Sequence, residues 1–530
     1  MRAMATAALL VATTAAGASA QGFGQGPSGF IVENPVLRRI WALGMDSSQA
    51  SRFAQVLLDS VGPRLTASPG MESGQDWLVQ TYQRMGITAR KERYGTWRGW
   101  RRGRSHLDLV QPRVRSLEAM ILAWSPGTNG QTVRGEVVGL PSGDSTAFNS
   151  WIGSVRGKVV MVSNPQPTCR PESSWQEHAT PQTLERMRAA RTANNQAWAR
   201  RLQSLGVSGP GAANRLVARL EEAGAVGILQ SNWSNGWGVN KIFSTNAQRV
   251  PVYDVSCEDY GLLWRLAENN QGPVVDLMAE SEALGEIPVF NVIGEIRGRE
   301  LPNEYVMLSA HFDSWDGSSG ATDNGTGTVV MLEAMRLLRE AYPNPRRTIL
   351  VGHWSGEEQG LNGSRAFAAE NPRIVQGLQA LFNQDNGTGR VVNMSAAGLV
   401  GATPFLAKWL GQIPADLTRH IDFGFTGSPS GGGSDNASFI CSGAPGFSLG
   451  SGSWDYGTYT WHTNRDTYDK ISWDDVKNNA VLTAMLVYLA SEERERVPRD
   501  RRGVMAPQGQ QQQPGQWPTC QPGQRATPQN

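Results

Sequence analysis

The strongest constraint on this chain is a pattern repeated in its second half: an apolar run stops, and an acid or an imidazole follows within a few residues beside glycine. Tyr305-Val306-Met307-Leu308-Ser309-Ala310 leads into His311-Phe312-Asp313, and Thr348-Ile349-Leu350-Val351-Gly352-His353-Trp354 leads into Glu357-Glu358. Leu378-Gln379-Ala380-Leu381-Phe382 likewise leads into Asp385. Short apolar runs bounded by turn residues read as buried strands. Helical spacing over 326–341 and 476–495 places helices between and after them. Such alternation predicts an α/β fold, three layers deep, with a mostly parallel central sheet. In a sheet of that kind, polar residues just beyond the carboxyl ends of the strands converge on one rim.

At 530 residues the chain exceeds one hydrophobic core, so two or three packed units are expected. The formal charge, 49 − 47 = +2, excludes a whole-chain electrostatic attraction to nucleic acid or acidic membranes. One local run, Trp97-Arg98-Gly99-Trp100-Arg101-Arg102-Gly103-Arg104, interleaves cations with aromatics, and on so neutral a chain it reads as a strand edge or a domain contact. The only apolar stretch near membrane length follows Arg2 and ends at Ala18-Ser19-Ala20, the small-residue pattern of a signal peptide cleaved near Ala20. A secreted or periplasmic protein without stable membrane insertion is expected. Its four cysteines show no CxxC spacing; of the pairings, Cys169 with Cys257 is favoured because both fall in one proposed domain. Residues 499–530, rich in Gln, Pro and Gly, read as a disordered tail.

Imidazoles and carboxylates together suit a divalent cation such as zinc better than a Ser-His-Asp arrangement. Two further candidates join those at the strand ends: Asp323, in Gly320-Ala321-Thr322-Asp323-Asn324-Gly325-Thr326-Gly327, and His462, in an aromatic-rich loop. Each has an ordinary alternative taken singly. Asp323 could cap a helix, Asp385 could form a turn, and His462 could be a packed core histidine. His353, His106, His178 and His420 read as structural. The run from Gly320 to Gly327 lacks a GK[ST] ending and is not a nucleotide loop.

At these residues the sequence resembles the co-catalytic di-zinc exopeptidases, the family of leucyl-type aminopeptidases, glutamate carboxypeptidases and carboxypeptidase Q. The strings His311-Phe312-Asp313-Ser314-Trp315-Asp316, Ser355-Gly356-Glu357-Glu358-Gln359-Gly360, Gln384-Asp385-Asn386-Gly387 and Trp461-His462-Thr463 occur in the family's order. The resemblance implies two zinc ions per chain, one on His311 and Asp385, the other on Glu358 and His462, with Asp323 bridging. It further implies Glu357 as general base acting on a metal-activated water, and Asp313 orienting the His311 ring. Residues 21–129 and 285–498 would form a discontinuous peptidase domain, and 130–284 an inserted protease-associated domain. Expected partners are short peptide substrates and a second copy of the chain, with no nucleic acid. Departures fall at Asn324, where relatives often have a second Asp, and at Asn436, where many have His. A receptor-like protein on the same fold would lack the ligand set, and a glutaminyl cyclase would usually lack the inserted domain. Neither accounts for the whole chain, and which end of the peptide is held stays open.

Overall fold

The computed structural model describes residues 33–424, 427–501 and 517–528. In chain order the strands are β1 (Thr88–Gln111), β2 (Arg115–Ser116), β3 (Ala119–Ile121), β4 (Val133–Gly139), β5 (Val159–Met161), β6 (Gly227–Gln230), β7 (Val252–Val255) and β8 (Val274–Ile296). They continue with β9 (Leu301–His311), β10 (Arg347–Trp354), β11 (Leu378–Asn383), β12 (Val391–Ser395), β13 (Asp422–Gly424), β14 (Gly446–Ser448) and β15 (Gly450–Ser451). The large sheet runs β14-β11-β9-β10-β8-β4-β5-β6-β7-β3. As the sequence pattern predicts, β9, β10 and β11 pair in parallel, and β14 joins them in the same direction. All eight residues of β10 are buried, as expected of a strand covered on both faces.

The helices Thr326–Ala341 and Trp473–Glu492 pack against each other on one of those faces. Leu332, Leu337, Leu482 and Leu486 between them are fully buried, each stabilising the core by roughly 1.5–3 kcal/mol. The first long helix, Pro69–Arg84, is capped at its start by Ser68, whose Oγ accepts the Met71 N–H at 3.1 Å.

β1 and β8 form a long antiparallel ribbon, from Thr88 opposite Glu295 to Gln111 opposite Val274, which joins two halves of the sheet. One end of β8 pairs with β10, the other with β4. The cationic run lies inside β1: Trp97 and Trp100 are buried, while Arg101 and Arg104 pair across the ribbon with Glu282 and Glu280 at 2.7 and 2.9 Å. Arg102 makes a two-pronged bond to Asp316, both contacts 2.9 Å.

Between β1 and β8 the chain makes an excursion in which β3, ahead of residue 130, pairs with β7.

The tail differs from expectation. Residues 517–528 lie in a defined path because Cys441 and Cys520 form a disulfide, alongside the favoured Cys169–Cys257 bond. Trp517 Nε1 donates to the Ile440 carbonyl at 2.8 Å, Gln524 N to Asn362 Oδ1 at 2.8 Å, and the Arg98 N–H to Thr527 Oγ1 at 2.7 Å. A covalent anchor and these bonds outweigh a composition that favours disorder. The segment 1–20 lies outside the described residues; no described helix is long and apolar enough to cross a membrane. Cys520→Ser should release the strap, and mass spectrometry of limited digests should find tryptic cleavage at Arg525 accelerated.

Candidate metal centre

Three neighbouring parallel strands, in the order β11-β9-β10, deliver the expected side chains to one rim. His311 ends β9, Glu357 and Glu358 stand in the turn after β10, and Asp385 follows β11. Asp323 arrives from the loop ahead of the helix Thr326–Ala341. Its backbone is fixed by the Asp466 carboxylate, which accepts the Thr322 and Asp323 N–H groups at 2.7 and 3.0 Å. Asn324 Nδ2 donates to the Gln384 carbonyl at 2.9 Å while its Oδ1 accepts the Gly327 N–H at 3.1 Å. An amide donates from one atom and accepts at the other, so Asn324 braces the loop as an ionised Asp, which only accepts, would not. A side chain at position 327 has no room, since a Cβ there would lie 2.2 Å from Asn324 Oδ1 and 2.6 Å from the Gln384 carbonyl.

The five expected ligands converge as two trios sharing one carboxylate: His311, Asp323 and Asp385, and Asp323, Glu358 and His462. His311 Nε2 lies 2.9 Å from Asp385 Oδ1 and 3.4 Å from Asp323 Oδ1. His462 Nε2 lies 3.1 Å from Asp323 Oδ2 and 3.0 Å from Glu358 Oε2. Asp323 Oδ2 nevertheless lacks hydrogen-bonding geometry, and Glu358 Oε1 and His462 Nδ1 are buried without partners. Nitrogen and oxygen lone pairs crowded in this way fit divalent cations better than they fit each other. Glu357 lines the same cavity of about 450 Å³ without joining either trio.

The electrostatics reflect crowding of acids. Burial pushes Glu357 well above the usual carboxylate range and Glu358 up to about 7, with nearby carboxylates adding to both shifts. Burial raises Asp323 too, but the His311 and His462 imidazoles beside it outweigh that and hold Asp323 below its ordinary value. Burial opposes charging of His462, yet Glu358 and Asp323 lift it to about 9.

Asp313 plays a different part from the one expected. The His311 Nδ1–H bond, 2.9 Å long, goes to the Asp313 backbone carbonyl. The Asp313 carboxylate stands 3.7 Å from that nitrogen and instead accepts the Glu357 and Glu358 N–H groups, both at 3.3 Å, and Thr66 Oγ1 at 3.2 Å. It therefore orients the turn that carries both glutamates. Two supporting residues carry no sequence signal of their own. Arg64, fully buried, donates to the carbonyls of Gly62, Phe312, Ser319 and Gly320, and burial lowers it to about 10. Asp435 is fully buried beside Asn436, and burial raises it to about 8. His353 lies apart from the ligands, its Nε2 2.7 Å from the Tyr82 hydroxyl. His106 pairs with Asp108 at 3.0 Å, and His178 and His420 are exposed.

A model of the family described as "Peptidase family M28" matches residues 291–487, the stretch carrying every residue of both trios. Carboxypeptidase Q of Mus musculus is 23% identical over 445 residues, covering 84% of this chain and 86% of the relative. Residues 291–487 of the chain belong to peptidase family M28. Carboxypeptidase Q of Homo sapiens matches this M28 peptidase at the same 23%, over 84% of the chain and 85% of the relative. Among solved structures, a Peptidase M28 precursor from Shewanella amazonensis SB2B superposes with a TM-score of 0.64 at 23% identity, covering 87% of this chain and 97% of that one. BSAP, a zinc aminopeptidase from Bacillus subtilis, gives 0.55 at 18%, covering 85% and 96%.

His353 generates a stability prediction for this M28 peptidase. Burial lowers its pKa from 6.5 to about 3, so between those values the unfolded chain binds a proton that the folded chain refuses. Stability from this group is complete above pH 6.5 and is lost as pH falls toward 3. His353→Gln should cost about 1–3 kcal/mol at pH 7. Urea denaturation should find the gap between wild type and variant narrowing with acid, while metal content at pH 7 stays unchanged.

Proposed function

We propose that this M28 peptidase is an exported exopeptidase that binds two zinc ions and removes terminal residues from short peptides or splits dipeptides. The observation that carries the reading is Asp323, whose two carboxylate oxygens face different imidazoles, His311 and His462. Its first oxygen would serve a zinc held by His311 and Asp385, its second a zinc held by Glu358 and His462. Bound there, the ions would polarise the scissile carbonyl and lower the pKa of a water between them.

The chain's own residues do the rest. Glu357 lines the cavity outside both ligand groups, so its carboxylate is free to take a proton from the attacking water and return it to the leaving amine. Asp313 holds the backbone of that glutamate through its N–H, which keeps the base and the ligand Glu358 in one register. The Asp313 carbonyl fixes the tautomer of His311, leaving Nε2 to face the ion. Crowding by Trp461, Phe243 and Trp315 orients the His462 ring and limits water around it. Carboxypeptidase Q among the relatives and a zinc aminopeptidase among the similar structures support an exopeptidase reading. Two disulfides and the apolar segment before Ala20 support export. The excursion between β1 and β8 is read as the inserted domain, shaping access without supplying a ligand.

Metal analysis of the purified protein should find two zinc ions per chain, and a chelator should abolish hydrolysis of short peptides. An active sample without a divalent ion would overturn the assignment. The adjacent glutamates should fail differently. Glu357→Gln should lower turnover by roughly 10²–10⁴-fold with zinc retained. Glu358→Gln and His462→Ala should lose zinc together with activity. Zinc retained in Glu358→Gln but lost from Glu357→Gln would exchange the two roles.

A further inference from the structure

A second cavity, of about 430 Å³, meets the metal-centre cavity at Glu358, a side chain that lines both. Its walls are aromatic: Trp97, Trp124, Phe243 and Trp315, closed on one side by Thr527 and Pro528 of the tail strap. Within these walls stand N–H groups with nothing to donate to. Trp97 and Trp315 are more than nine-tenths buried, and their Nε1 atoms have no acceptor; the Gln359 amide is likewise unpartnered. Trp124 differs, its Nε1 donating to the Arg98 carbonyl at 2.8 Å.

Arg98 brings the charge. Its guanidinium lies over the Trp124 ring, 4.7 Å from the centroid, and reaches the Thr245 carbonyl at 3.3 Å. Its Nε is buried without a partner; Glu286, opposite it on β8, acts on its charge from across the ribbon but makes no ion pair with it. The only acid on the cavity wall is Glu358, already committed to the trio with Asp323 and His462. An ammonium would find only the neutral Gln359 amide oxygen free to accept here, whereas a carboxylate would find a half-buried guanidinium and indole N–H donors. Apolar walls on both sides would take a large side chain.

Resting on the exopeptidase reading above, we propose that this cavity receives the residue after the scissile bond as a free C-terminal amino acid. Arg98 and the Trp315 N–H bind its carboxylate, and the rings of Trp124 and Phe243 its apolar side chain. The substrates are then dipeptides, or peptides losing one C-terminal residue, with an aromatic or large aliphatic residue in last place. The strap from Cys520 onward becomes a wall of the specificity pocket.

Leucyl-phenylalanine and leucyl-phenylalanine amide separate this from capture of a peptide by its amine. The zinc-loaded wild type should favour the free acid in kcat/KM by roughly 10- to 100-fold, the range of a charge-assisted hydrogen bond. Arg98→Gln should bring that ratio near one, chiefly through KM, with Arg98→Lys keeping part of it. Trp315→Phe retains the ring without the donor and should lower the ratio several-fold, which covers the case that Arg98→Gln fails to fold. Equal or faster hydrolysis of the amide by wild type, or a ratio untouched in folded, zinc-containing Arg98 and Trp315 variants, overturns the proposal. Calorimetry of phenylalanine against phenylalanine amide reads the pocket without turnover, the free acid binding tighter and losing that advantage in Arg98→Gln. If neither peptide is cleaved by zinc-loaded wild type, the exopeptidase reading falls, and the calorimetric preference alone decides the carboxylate site.

Discussion

One buried carboxylate, Asp323, governs the arrangement around it. It is almost wholly withdrawn from water and stands between two imidazoles, with Glu358 and Asp385 on either side. Buried charges are costly unless they are paired, and here acids outnumber the nearby bases. His311, His462 and Arg64 face Asp323, Asp385, Glu357, Glu358, Asp435 and Asp466 in the same interior. Such an excess is tolerable where cations complete the balance, and it explains why so much backbone is spent on holding the acids still. Asp466, Asn324 and Arg64 each fix the loop from Gly320 to Gly327 or its flanks through main-chain groups. A loop free to relax would let the carboxylates part.

That packing determines what the sequence could reveal. The strands β9, β10 and β11 were legible because each is a continuous apolar run, and a strand buried on both faces must end where its first polar residues begin. His311, Glu357, Glu358 and Asp385 stood out as candidates for the same reason, whereas Asp323 and His462 lie in loops and joined them through residue type and the resemblance. The run within β1 was legible as a strand edge, but the length of the β1–β8 ribbon was not, because it rests on cross-strand pairs whose partner lies far along the sequence. The role of Asp313 was hidden at a finer level. Whether His311 bonds to the carbonyl or the carboxylate of the same residue depends on a turn that spacing does not specify, and the carboxylate is needed one layer deeper.

Composition misled most where a covalent bond decides the outcome. Segment 517–528 has few apolar residues, and nothing in its texture could offset the entropy of ordering it. The Cys441–Cys520 bond reduces that entropy before any contact forms, after which modest bonds from Trp517, Gln524 and Thr527 suffice. Four cysteines allow three full pairings, so the tail's path is undetermined until one of them is known.

Among the described residues the excursion between β1 and β8 adds none to either trio, yet it holds the candidate site through a backbone clasp. His462 has a φ of +60°, a left-handed conformation that an L-residue adopts at a cost of roughly 1–2 kcal/mol. Surrounding contacts must impose it. The Ile242 N–H donates to the His462 carbonyl at 2.8 Å, Asn240 N to Asn464 Oδ1 at 2.9 Å, and Asn464 N to the Asn240 carbonyl at 3.0 Å. These three bonds run from the excursion to the ligand loop, and Phe243 completes the contact by standing edge-on to the His462 ring, 5.1 Å away. The clasp begins beside β7, whose Asp254 accepts the Lys241 N–H at 3.2 Å. The position of an imidazole beyond one half of the sheet is therefore tied to the segment beside a strand of the other half.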